Sequence, residues 1–113
     1  MKRIIARFYC NASGNEPVRD WLKNLSKEDK QIIGVDIQTI EFGWPIGMPT
    51  CKALGGGLYE VRSSLSSSKI CRIIFCMNGN EMVLLHGFIK KTQKIPDNEI
   101  ETARKRLKEI KNG

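Results

Sequence analysis

Asn78-Gly79 stands between two runs rich in apolar residues, Lys69–Met77 and Glu81–Ile89. Asn-Gly between such runs is the strongest short-range signal for a tight hairpin, because the turn needs residues that tolerate positive φ. The two runs are therefore expected to pair as antiparallel neighbours. Leu58–Arg62 reads as a strand ahead of them, and Ser63–Ser68 as a serine-rich turn, so the three segments should form a meander. A further short strand is expected at Cys51–Leu54, and a first strand at Arg3–Tyr9.

The intervening segments have helical spacing. Asn15 is placed to cap a helix with Pro17 in its first turn. Val18, Trp21, Leu22 and Leu25 then recur on one face. Ser26 can cap a second helix, with Glu28 and Asp29 where they complement the helix dipole. Ile33, Ile37 and Ile40 form its stripe, and Gly43-Trp44-Pro45 ends it. The short joint predicts an antiparallel helical hairpin. Lys90–Lys94 reads as a basic loop, and Pro96-Asp97-Asn98 opens a last helix striped by Ile100, Ala103, Leu107 and Ile110. No repeat or long linker divides the chain, so its 113 residues are expected to form one α+β domain over 1–113.

The net charge of +7, with an isoelectric point near 9.4, favours a polyanionic partner. Cys10, Cys51, Cys71 and Cys76 form no C-x-x-C pair, and a strand would turn Cys71 and Cys76 to opposite faces. They read as small buried hydrophobes. With His86 the only histidine, no Cys/His zinc site is expected, nor any other metal or cofactor. Met1–Tyr9 is short and carries Lys2, Arg3 and Arg7, so no leader is expected. No apolar run approaches the roughly 18–20 residues of a membrane span. A cytoplasmic protein with no membrane partner follows.

Side chains alternate along a strand, so Glu60 and Arg62 share a face, as do Arg72 with Ile74, and His86 with Phe88 and Lys90. If the meander aligns these faces, Glu60, Arg62, Arg72 and His86 form one patch with Lys90 and Lys91 at its rim. Such a patch suits RNA cleavage. Guanidinium and ammonium groups stabilise the charge that gathers on the phosphate, and Glu60 or His86 can take the 2′-OH proton. The plainer readings are a simple ion pair of Arg62 with Glu60 or another acid, a hydrogen-bonded core His86, and solvated basic surfaces at Lys90–Lys94 and Arg104-Lys105-Arg106-Lys108. Trp21 and Trp44 read as packing residues.

Several stretches, taken in order, carry a family resemblance. They are Pro17-Val18-Arg19-Asp20-Trp21-Leu22, Gly43-Trp44-Pro45, Lys52-x-Leu54-Gly55-x-Gly57-Leu58-Tyr59-Glu60-Val61-Arg62-Ser63, Arg72-Ile73-Ile74-Phe75 and Leu85-His86-Gly87-Phe88-Ile89-Lys90-Lys91-Thr92-Gln93-Lys94-x-Pro96. The whole resembles the phage-related HigB branch of the RelE/ParE toxin superfamily. That resemblance implies two N-terminal helices packed on a curved antiparallel sheet, with a C-terminal helix. It implies a toxin that cuts mRNA in the ribosomal A site as a metal-independent endoribonuclease. It also implies a HigA-like helix-turn-helix antitoxin, with operator DNA reached only through the toxin–antitoxin complex.

Carried over by residue, the resemblance puts Arg62 and Arg72 on the scissile phosphate and Lys90 or Lys91 on the transition state. Lys52, Gln93 and Lys94 are expected to bind RNA. Glu60 stands where the best-known member has a lysine. No tyrosine follows Tyr59 to match the family's catalytic tyrosine. Some relatives use histidine there, which leaves Glu60 and His86 both open as the proton-transfer group. The alternative is a non-catalytic module that binds nucleic acid or an antitoxin.

Overall fold

The computed structural model describes residues 1–47, 49–90 and 94–112. In chain order the elements are β1 (Ile5–Phe8), α1 (Pro17–Leu22), α2 (Lys27–Gly43), β2 (Cys51–Gly55), β3 (Leu58–Ser64), a 3-10 turn (Ser66–Ser68), β4 (Ile70–Asn78), β5 (Glu81–Lys90) and α3 (Asp97–Asn112). The five strands make one sheet in the order β1-β5-β4-β3-β2, and the class is α+β.

The expected meander forms: β2, β3, β4 and β5 are antiparallel neighbours. The expected wholly antiparallel sheet does not, because β1 lies parallel to β5, Ile5 opposite Glu81 and Phe8 opposite Leu84. The reason is connectivity. A hairpin holds adjacent strands antiparallel, whereas β1 is followed by two helices and enters the sheet beside its last strand. At the β4–β5 turn Asn78 pairs with Glu81, so the central residues are Gly79 and Asn80, one place later than the sequence signal. Gly79 carries the positive φ, +64°.

The β4–β5 register shifts by one residue. Phe75 faces Leu84 but Ile74 faces His86, so Leu85 is an extra residue in β5. A register run straight from the turn would put Gly87 opposite Arg72. The bulge instead puts Phe88 there, and turns Leu85 and His86 to the same side of the sheet.

Neighbouring residues Ile73 and Ile74 belong to two separate cores. Ile73, Val61, Phe75 and Leu84 pack with Val18, Ile33 and Ile40 of α1 and α2. Ile74, Leu58, Val83 and Leu85 pack with Ala103 and Leu107 of α3. Cys71 falls in the first core and Cys76 in the second, as strand parity requires. Burial pushes the Cys71 thiol up to about 12 and the Cys51 thiol up to about 11, so both behave as apolar groups. Trp44 meets Tyr59 edge-on at 5.1 Å between ring centres, and Tyr59 stacks on Phe75 at 5.4 Å.

The Ser26 cap is present: its Oγ accepts the Asp29 N–H at 3.1 Å. Ser26→Ala should therefore cost about 1 kcal/mol in denaturant unfolding. The Asn15 cap is not, because α1 begins after Glu16, which makes no side-chain cap bond. The loop before α1 is held instead by Asn11, whose Oδ1 accepts N–H bonds from Ser13 and Asn15 at 3.0 and 2.9 Å. The ring of Trp21 of α1 packs against Gly87, where an added Cβ would stand 2.8 Å from a ring carbon. Gly87→Ala should lose about 1–3 kcal/mol by overpacking, measured as an earlier denaturation midpoint. Among the described residues no helix is long and apolar enough to cross a membrane.

Candidate functional site

Residues directly opposite on paired strands point to the same face. The pairing runs Lys52–Glu60–Ile74–His86 in one row, Arg62–Arg72–Phe88 in the next, and Ser64–Ile70–Lys90 in the third. Lys52, Glu60, Arg62, Arg72, His86 and Lys90 thus share one face. The α3 core occupies the other half of that face, through Leu58, Ile74, Val83 and Leu85. Lys90, expected in a loop, is the last residue of β5. Lys94 is exposed. Lys91 and Gln93 lie outside the described residues.

Glu60 forms an ion pair, but with Arg72 rather than with Arg62. The contact is diagonal, one row apart. Glu60 is 0% exposed and Arg72 3%. Each charge offsets the desolvation of the other, and neither is tolerable there alone. Glu60 Oε2 and Arg72 Nε have no hydrogen-bond partner among the described residues.

Arg62 is half-buried and makes no ion pair with a described residue. Lys52 is exposed and Lys90 half-buried. The Lys90 ammonium is pushed below the usual lysine range, first by burial and then by the Arg72 charge. Arg62 and Lys52 act in the same direction, and Glu60 opposes them. The Arg72, Arg62 and Lys52 charges that oppose the Lys90 ammonium attract an incoming anion.

His86 sits apart from this cluster. Its Nε2 lies 2.8 Å from Glu99 Oε1 at the start of α3, and its ring stacks on Phe88 with centres 5.8 Å apart. Ile74 separates it from Glu60, a distance of roughly two strand spacings, about 10 Å. The two proton-transfer candidates therefore occupy different environments. Glu60 lies buried against Arg72, and His86 is partly exposed against a carboxylate.

Glu99 was invisible in the sequence as a partner of His86, because it reaches the strand only through α3's docking. Arg106 was likewise grouped with a solvated helical face. It donates to the Leu85 carbonyl at 2.7 Å and lies over the Tyr9 ring at 5.4 Å. The bulge frees that carbonyl, so Arg106 ties α3 to the sheet at the irregular point. Among the described residues no group of three or more His, Cys, Asp or Glu side chains is arranged to hold a metal ion.

A family model described as Phage derived protein Gp49-like (DUF891) matches residues 20–108, most of the chain. The chain belongs to this family. No curated protein matches it. The Gp49-like region begins within α1 and ends within α3. It therefore contains every cation of the face, the buried Glu60–Arg72 pair and the His86–Glu99 contact. β1 and Tyr9 lie outside it.

Proposed function

We propose that this Gp49-like protein is the toxin of a type II toxin–antitoxin pair that cuts mRNA in the ribosomal A site, as HigB-like members of the RelE superfamily do. The observation that carries this reading is the convergence of Arg62, Arg72 and Lys90, with Lys52 beside them, on one face of the sheet. Membership of the Gp49-like family agrees with it.

The reaction is attack by the 2′-oxygen on the adjacent phosphorus. The 2′-OH loses its proton, the new P–O bond forms, and the bond to the 5′-oxygen breaks as that oxygen takes a proton. The products are a 2′,3′-cyclic phosphate and a 5′-hydroxyl end. The nucleophile belongs to the substrate, so no metal-activated water is required. In this reading Arg62 engages the phosphate directly, and Lys90 stabilises the charge that develops in the transition state. Arg72 adds its field from beneath, held in place by Glu60. His86 is the more accessible proton carrier, and Glu99 fixes its orientation.

The partners in this reading are ribosome-bound mRNA and a HigA-like helix-turn-helix antitoxin, with operator DNA bound only through the toxin–antitoxin complex. The compartment is the cytoplasm, where the ribosomes are. Primer extension on transcripts after induction should show codon-linked cuts together with growth arrest. Arrest with intact transcripts would refute the assignment.

The buried Glu60–Arg72 pair favours one second reading, a module that binds RNA or antitoxin without cleaving, because it places a carboxylate where the best-known relative has a lysine. RNA binding by the purified protein with no cuts on ribosomes would select it.

A further inference from the structure

We infer that the cleft beside Arg62 is a nucleobase pocket that reads guanine through Asp36. The inference rests on the reading of Arg62 as a phosphate ligand and extends it to the neighbouring base.

β2 covers the edge of β3 only as far as Cys51 opposite Val61, and beyond it the Thr50 carbonyl takes the Arg62 N–H at 2.9 Å. There the sheet edge opens into a cavity of about 350 Å³. That volume lies within the roughly 300–1,000 Å³ of small-ligand sites. Arg62 stands in its wall together with Asp36 of α2, and Ile32 and Ile70 supply apolar surface. Thr50 and Ser64 add hydroxyl groups.

Two features point to a nucleotide. A guanidinium and a carboxylate line one cavity, yet neither makes an ion pair with a described residue. Each therefore keeps its hydrogen-bonding capacity for a ligand that is anionic at one end and a donor at the other. The apolar side chains of Ile32 and Ile70 in the same wall suit the faces of a planar ring.

The carboxylate selects the base. An ionised Asp36 only accepts hydrogen bonds, at two oxygens side by side. Guanine alone presents two adjacent donors on its Watson–Crick edge, N1–H and the N2 amino group. Adenine and cytosine place an acceptor beside their amino group, and uracil flanks its single N–H with two carbonyls. The rotatable hydroxyls of Thr50 and Ser64 are free to donate to the guanine O6.

Calorimetric titration of the purified protein with GMP, AMP, CMP and UMP tests this directly. GMP should bind roughly ten- to a hundredfold more tightly than UMP, the discrimination of one good bidentate pair. Asp36→Ala and Asp36→Asn should both remove that ranking, the second without loss of volume, while Arg62→Ala should weaken all four nucleotides alike. Equal affinities in the wild type, absence of binding, or a guanine preference that survives Asp36→Ala would overturn the pocket. The titration needs neither ribosome nor cleavage. Intact mRNA in the primer-extension experiment would therefore count against the proposed toxin activity alone, and the nucleotide ranking would still decide the pocket.

Discussion

Arg72→Ala is expected to lower the free energy of unfolding by about 3–5 kcal/mol, because it strands a buried carboxylate. Glu60 has no exposed surface, and Arg72 is its ion-pair partner. A domain of this size holds only about 5–15 kcal/mol in total. Loss of growth arrest in this variant would therefore report lost folding as much as lost chemistry. Replacing both members by apolar residues, Glu60→Leu with Arg72→Met, should recover most of the loss, since a buried pair and a packed apolar pair are often similar in stability. Denaturant unfolding of wild type, single and double variants provides the measurement. A single variant as stable as wild type would show that the pair holds nothing together.

Arg62→Ala is the cleaner probe of chemistry. Its side chain is half-buried and has no ion-pair partner among the described residues, so no charge is stranded by its removal. Single-turnover cleavage of ribosome-bound mRNA should fall about 10²–10³-fold, the usual cost of deleting one fixed donor to transition-state charge. The circular dichroism spectrum and unfolding midpoint should stay near those of the wild type. Arg62→Lys should restore only part of the rate, because an ammonium cannot reproduce the two-pronged guanidinium contact. Undiminished cleavage by a folded Arg62→Ala protein would remove Arg62 from the reaction.

The hairpin, the meander and the apolar stripes of the helices were legible because each is a local pattern of spacing. Parity also grouped Glu60 with Arg62, and His86 with Lys90. It could not decide whether those groups share a side of the sheet, since a straight register from the β4–β5 turn would separate Arg72 from His86 and Lys90. Nor could it give depth. The resemblance puts Arg72 on the scissile phosphate, yet its side chain is only 3% exposed and paired with the buried Glu60. The parallel placement of β1 and the contact of His86 with Glu99 depend on how distant segments dock, which no local window contains.

The extra residue in β5 has a further consequence, for changes in chain length. Because Leu85 lies outside the pairing, a deletion there leaves His86, Phe88 and Lys90 pointing as they do now, at the cost of one apolar side chain and the carbonyl held by Arg106. A deletion after it, at Gly87 for example, turns Lys90 to the side where Trp21 packs. β5 can thus shorten at one place while its later side chains keep their direction. Beyond that place the number of residues matters as much as their identity.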